Sequence, residues 1–154
     1  MSPSAPSQRQ AHRLLQSGAL LFLLALLVGL VIHRFALPRV ALSAHLVGLL
    51  QGIFLLVVGL LWPQLELGPA ASRTAFFLLL YGSFVSWTVT VLAAAWGAGG
   101  QILSMAAGQA QGTALQERIV VLGLQSAAAA MIAALLLILW GLRSPAFDPT
   151  DRPG

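Results

Sequence analysis

Between Leu42 and Trp62 the chain reads LSAHLVGLLQGIFLLVVGLLW, without a single Asp, Glu, Lys or Arg. About 20 apolar residues suffice for a helix to cross the hydrocarbon core of a bilayer. In that medium only helices and closed barrels satisfy their own backbone groups. The run is therefore a transmembrane helix, and three further runs repeat its length and character. We place the spans at about 17–37, 42–62, 74–96 and 119–142. Only 8% of the residues are charged, against about 25% in a soluble domain. The fold class that follows is all-α: a four-transmembrane-helix bundle in the lipid bilayer.

The rest of the chain is arranged around these spans. Residues 1–13 read as a disordered polar leader, 14–143 as the membrane domain, and 144–154, with three prolines, as a disordered tail. A secretory signal would need a shorter apolar region and a small-x-small cleavage site, whereas the first run is long and ends in HRFALPR. Breakers fall between spans: Pro38, then Pro63, Gly68 and Pro69, with Ser43 and Ser72 placed to cap the second and third helices. Trp62, Trp96 and Trp140 stand at span ends, where interfacial anchors are expected. Arginine counting favours both termini inside, with Arg9, Arg13, Arg73, Arg143 and Arg152 against Arg34, Arg39 and Arg118. Residues 97–116, GAGGQILSMAAGQAQGTALQ, are too polar to span and too apolar for a solvated linker. They read either as a lid containing a short interfacial helix or as a weakly ordered interfacial segment.

Composition narrows the chemistry. With no cysteine and no lysine, thiolate sites, disulfides and Schiff bases are excluded. The net charge of +4 comes from arginines scattered singly, which is not a nucleic-acid footprint. Three histidines, four carboxylates and one tyrosine remain.

Polar groups inside a membrane are costly and by default mark function. His45, Gly48, Gly52, Leu56 and Gly59 share one helical face at spacings of three and four. That face presents an imidazole above a groove of absent side chains. Gly48 and Gly52 also form a GxxxG pair, whose plainer use is close approach of a neighbouring helix. Antiparallel helices bring His45, Gln51, Trp87, Thr90 and Gln125 into one half of the bilayer, so a polar pocket is expected there. Each has a plainer alternative. Gln51 and Gln125 can bond to each other, and the serine and threonine hydroxyls can return to backbone carbonyls. Glu117 can serve only the dipole of its helix start. Tyr81 lies nearer the other face, where a structural role competes with a place among the substrate-binding residues. His33 and His45 flank the Pro38 turn, which leaves a haem or metal at His45 open; no other cofactor is expected.

The segment LPRVALSAHLVGLLQGIFLLVVGLLW, together with Glu117, Gln125-Ser126 and the closing LWGLR, resembles the hydroxylaminobenzene mutase family from about Arg13 to Arg143. The chain has Gln51-Gly52 where that pattern has asparagine-glycine, and Ser86 where it has asparagine, which changes the reach of the side chains toward substrate. The resemblance implies an isomerase of the bacterial cytoplasmic membrane that converts small aromatic hydroxylamines to 2-aminophenols. Side-chain chemistry and depth then suggest roles. His45 acts as the acid, Glu117 orients it or recaptures a ring proton, and Gln51 and Gln125 hold the hydroxylamino group. Trp87 or Phe84 faces the cationic arene. A non-catalytic haem- or metal-binding subunit and a small-molecule transporter built from a homo-oligomer are the other classes that fit.

Overall fold

The computed structural model describes residues 5–108 and 111–143, so the expected tail at 144–154 lies outside the described residues. Five helices follow one another: α1 Ala5–Leu30, α2 Pro38–Leu61, α3 Pro69–Trp96, α4 Ser104–Ala107 and α5 Ala114–Gly141. Four of them, all but α4, are long and apolar enough to cross a membrane. Helix α1 lies along α2, and α5 lies along α3. The two pairs meet where α2 faces α3.

Helix boundaries differ from expectation at several points, each for a local reason. Of the leader expected to be disordered at 1–13, residues 5–13 are helical, and residues 1–4 lie outside the described residues. Ala11 and Leu14 are buried. Gln10 Oε1 accepts hydrogen bonds from Trp62 Nε1 at 3.1 Å and from Ser72 Oγ at 2.8 Å. Trp62 is thus a buried strut that ties α1 to the α2–α3 turn, and not an anchor at the lipid interface. Trp96 and Trp140 do stand exposed at their span ends. Ser43 and Ser72 are not caps, because Pro38 and Pro69 open their helices at the first position, where a fixed φ and a missing N–H suit proline. Ser43 Oγ bonds instead to the Arg39 carbonyl. The first span stops at Leu30, short of Leu37, and a 3-10 turn over Ile32–Arg34 follows. Leu37 (φ −122°, ψ 89°) stands outside the helical region, which is disfavoured for a residue before proline.

Contact between α1 and α2 depends on glycine. A Cβ added at Gly18 would lie 2.8 Å from the Gly52 carbonyl oxygen, and one at Gly52 would lie 2.9 Å from the Gly18 oxygen. Backbone meets backbone here, so neither helix can yield without parting from the other. Gly52→Ala is accordingly expected to lower stability in detergent by about 1–3 kcal/mol, as overpacking does. Gly68→Ala, with nothing within 4 Å of the added carbon, should stay near wild type. Equal denaturation midpoints for the two variants would refute the close contact.

Apolar side chains gather in two clusters. One centres on Leu14, Leu21, Leu55, Trp62, Phe76 and Leu79. The other centres on Val40, Val89, Ala93 and Val120. Along α2 and α3, the polar residues His45, Gln51, Ser83 and Ser86 fall between the stretches that feed these clusters.

Candidate functional site

His45 projects from α2 onto α1. Its ring occupies the space over Gly29, where an added Cβ would lie 2.6 Å from Nδ1. Nδ1 itself is 2.8 Å from the Ala25 carbonyl oxygen. A carbonyl can only accept, so Nδ1 carries the proton and donates. In the neutral ring Nε2 is then left with its lone pair free.

One turn further along α2, Gly48 forms a notch. A Cβ there would come within 2.6 Å of Ala25 Cβ and of Trp87 Cδ1 and Nε1. The indole edge of Trp87, from α3, therefore rests directly on the α2 backbone. Its Nε1 is buried and has no hydrogen-bond partner among the described residues. His45 and Trp87 thus converge on a single residue of α1: Ala25 holds the first through its carbonyl and faces the second through its methyl.

Gln51 lies one turn beyond Gly48 on α2 and is half-buried. Its Oε1 accepts from Ser83 Oγ at 3.1 Å, and Ser83 is fully buried. Ser86 and Thr90 return their hydroxyls to the carbonyls of Ser83 and Ser86 at 3.2 and 2.7 Å. Gln51 thus bonds to Ser83 and not to Gln125, the plainer alternative the sequence allowed. Gln125 is exposed on the outer side of α5. Gly52 faces α1 backbone as a packing residue.

The other candidates lie apart from this group. Tyr81 Oη is 3.0 Å from Ser126 Oγ. Ser126 donates its own proton to the Gly123 carbonyl, so Tyr81 is the donor and the pair clasps α3 to α5. Glu117 is buried at the start of α5, after a capping box formed by Thr113 and Gln116. Its Oε1 accepts from the N–H groups of Gly99 (2.9 Å), Gly112 (3.0 Å) and Gly100 (3.3 Å), and its Oε2 from Gln101 (3.5 Å). The carboxylate gathers the two described ends of this loop, residues 99–101 and Gly112. Gly97 and Gly99 supply the positive φ values, 70° and 109°, that the loop requires. The expected interfacial helix in this loop is the four-residue α4, which lies against the start of α2. Between them is a cavity of about 370 Å³ lined by Leu37, Pro38, Arg39, Ala106, Ala107 and Gly108.

His33 is exposed in the 3-10 turn and His12 is exposed on α1. Among the described residues no three or more metal-ligating side chains gather. Three contributors were not singled out from sequence: Ala25, which holds His45; Gly29, which makes room for its ring; and Ser83, which sets the Gln51 amide. Only Gly29, breaking the LLV-G-LV run, left a visible trace.

A family model described as styrene oxide isomerase matches residues 10–143. The chain is 50% identical over 144 residues to hydroxylaminobenzene mutase HabB of Ectopseudomonas oleovorans, covering 93% of this chain and 88% of the relative. It is 43% identical over 129 residues to hydroxylaminobenzene mutase HabA of the same organism, covering 84% of this chain and 96% of the relative. No solved structure matches it.

Proposed function

The chain belongs to the styrene oxide isomerase family and is an isomerase; from that premise we propose that it converts hydroxylaminobenzene-type aryl hydroxylamines to 2-aminophenols. The supporting observation is 50% identity, over 93% of the chain, to a protein named for that substrate. The reaction is redox-neutral. Protonation of the hydroxylamine oxygen lets the N–O bond break with loss of water, leaving an electron-poor arene. Water then adds at the ortho carbon, and the ring proton leaves to restore aromaticity. Atoms and electrons balance, because one water departs and one returns.

Three demands follow: an acid at the oxygen, a surface that tolerates the cationic arene, and exclusion of bulk water. His45, as imidazolium with Nδ1 held by Ala25, donates from Nε2. Gln51, with Oε1 engaged by Ser83, presents its amide N–H groups to the substrate. The apolar helices around them exclude water. We assign Glu117 to holding the loop, and the 370 Å³ cavity beside Arg39 to the route inward. The enzyme works in the bacterial cytoplasmic membrane with both termini inside, in line with the arginine bias.

Incubating purified protein with phenylhydroxylamine should give 2-aminophenol by chromatography. Recovery of unchanged substrate, under conditions where HabB converts it, would refute the assignment.

The His45 hydrogen bond also favours a second reading. An imidazole whose Nδ1–H is held by a carbonyl is oriented as metal-ligating histidines usually are, with Nε2 free for an iron or haem that would act as a Lewis acid on the substrate oxygen. Visible absorbance of purified protein, lost in His45→Ala, would favour it.

A further inference from the structure

The outward side of α1 serves neither the site nor the core. Ala11, Leu14, Leu21 and Ala25 form the buried stripe of this helix. On the opposite side Arg9, Arg13 and Gln16 run on into Leu20, Leu23 and Leu27, all exposed and in line at spacings of three and four. Where this stripe is polar, the side chains of Gln8, Arg9, His12, Arg13 and Gln16 border a groove of about 520 Å³. Each of the five can donate hydrogen bonds and none carries a negative charge. No carboxylate precedes Glu66 in the sequence. Arg9 and Arg13, four residues apart, repel each other across one turn, so the helix itself gains nothing from the pair. The stretch is nonetheless held in place, because Gln10 accepts hydrogen bonds from Trp62 and Ser72. At about 1.5 Å per residue, Arg13 and Arg9 stand roughly 25 and 31 Å from Leu30, the last residue of the helix. The hydrocarbon core is about 30 Å thick. With Leu30 at one boundary, the other falls between the two arginines, and lipid phosphates lie just outside it.

We propose that this stripe binds an anionic phospholipid of the leaflet at the α1 N-terminus. The phosphate lies between Arg9 and Arg13, and one acyl chain runs along Leu20, Leu23 and Leu27. Guanidinium groups meet phosphate oxygens with two parallel hydrogen bonds as well as charge. A phosphate between the two arginines also replaces their mutual repulsion by attraction to a common centre. The amides of Gln8 and Gln16 and the His12 ring supply further donors for the headgroup. A soluble phosphate would satisfy the arginines but leave the leucines without a part. A headgroup that carries its own cation, such as choline, offsets the attraction. Donors above an exposed apolar strip therefore match one amphiphile with a net negative head.

Binding is read from the thermal unfolding midpoint of the full chain in neutral detergent, titrated with dioleoylphosphatidylglycerol. The midpoint should rise to a plateau, and dioleoylphosphatidylcholine should not raise it. In Arg9→Gln/Arg13→Gln the lipid mole fraction at half-rise should increase about 25-fold, about fivefold for each arginine near a charged headgroup. Should that pair not fold, either single variant carries the test with its fivefold shift. Arg9→Lys/Arg13→Lys keeps the charge and should stay within about fivefold of wild type. Arg73→Gln, which removes an exposed arginine from the start of α3, should leave the half-rise unchanged. A loss as large in Arg73→Gln would mean that the lipid answers to overall charge, and would overturn the site. An equal rise with phosphatidylcholine, or with glycerol phosphate in place of lipid, would overturn it as well. Leu23→Cys supplies the last arm, since the chain has no other cysteine. Disulfide-linked dimers in phosphatidylglycerol vesicles would mean that a second copy, and not a lipid, covers the stripe.

Discussion

His45→Ala should lower turnover of phenylhydroxylamine about 100- to 10,000-fold, the usual contribution of a positioned general acid, while the bundle stays folded. Folding should survive because, among the described residues, the hydrogen bond lost is Nδ1–H to the Ala25 carbonyl at 2.8 Å, and no buried charge is left unpaired. His45→Gln separates two roles. Its amide can still donate a hydrogen bond but cannot deliver a proton. If glutamine keeps nearly full rate while alanine loses it, His45 positions the substrate and the proton comes from elsewhere. Near wild-type rates in both variants would remove His45 from the mechanism. A fall in rate accompanied by loss of visible absorbance would transfer it to the ligand reading. Gly29→Leu gives a useful comparison, since an added Cβ alone would meet the imidazole at 2.6 Å. Displacing the ring should cost activity without changing its chemistry.

Glu117→Ala should release the 97–112 loop. Four backbone N–H groups now converge on this one carboxylate, three of them within 3.3 Å. Hydrogen bonds to a charged acceptor contribute about 1.5–3 kcal/mol each before water compensates the exposed ones, so a total loss of about 3 kcal/mol is a reasonable lower figure. Protease cleavage within the loop should rise sharply, while helical circular dichroism from the spans is retained. Glu117→Gln should fall between, because its amide nitrogen opposes donors that its oxygen satisfies. This variant also tests the earlier expectation of a proton-carrying role. A glutamine variant with a protected loop and no activity would make Glu117 part of the chemistry. Activity that declines in step with loop protection would make it structural. Undiminished loop protection in Glu117→Ala would mean that the carboxylate does not organise the segment.

Much of the architecture was legible in the sequence, because membrane length and hydropathy are local properties. A run such as Leu42–Trp62 must be a helix of that length wherever it packs, and proline at 38 and 69 marks where the next one begins. The GxxxG at Gly48 and Gly52 likewise announced close helix contact. What could not be read there was the partner of each polar atom. Gln10 reads as part of a loose leader in the sequence, yet its side chain bonds to Trp62 and Ser72, 52 and 62 residues away. Gln51 and Gln125 lay at compatible depths, yet one meets Ser83 and the other faces outward. Depth is set by 1.5 Å per residue along one helix, but the direction a side chain faces across a bundle depends on how two helices are rotated against each other. That rotation is decided by the small residues at their contacts: Gly18 against Gly52, Gly82 near the Ala127 carbonyl, and Gly123 under Val89. These contacts join residues dozens of positions apart, so only the tertiary structure could place the His45 ring over Gly29 and the Trp87 edge on Gly48.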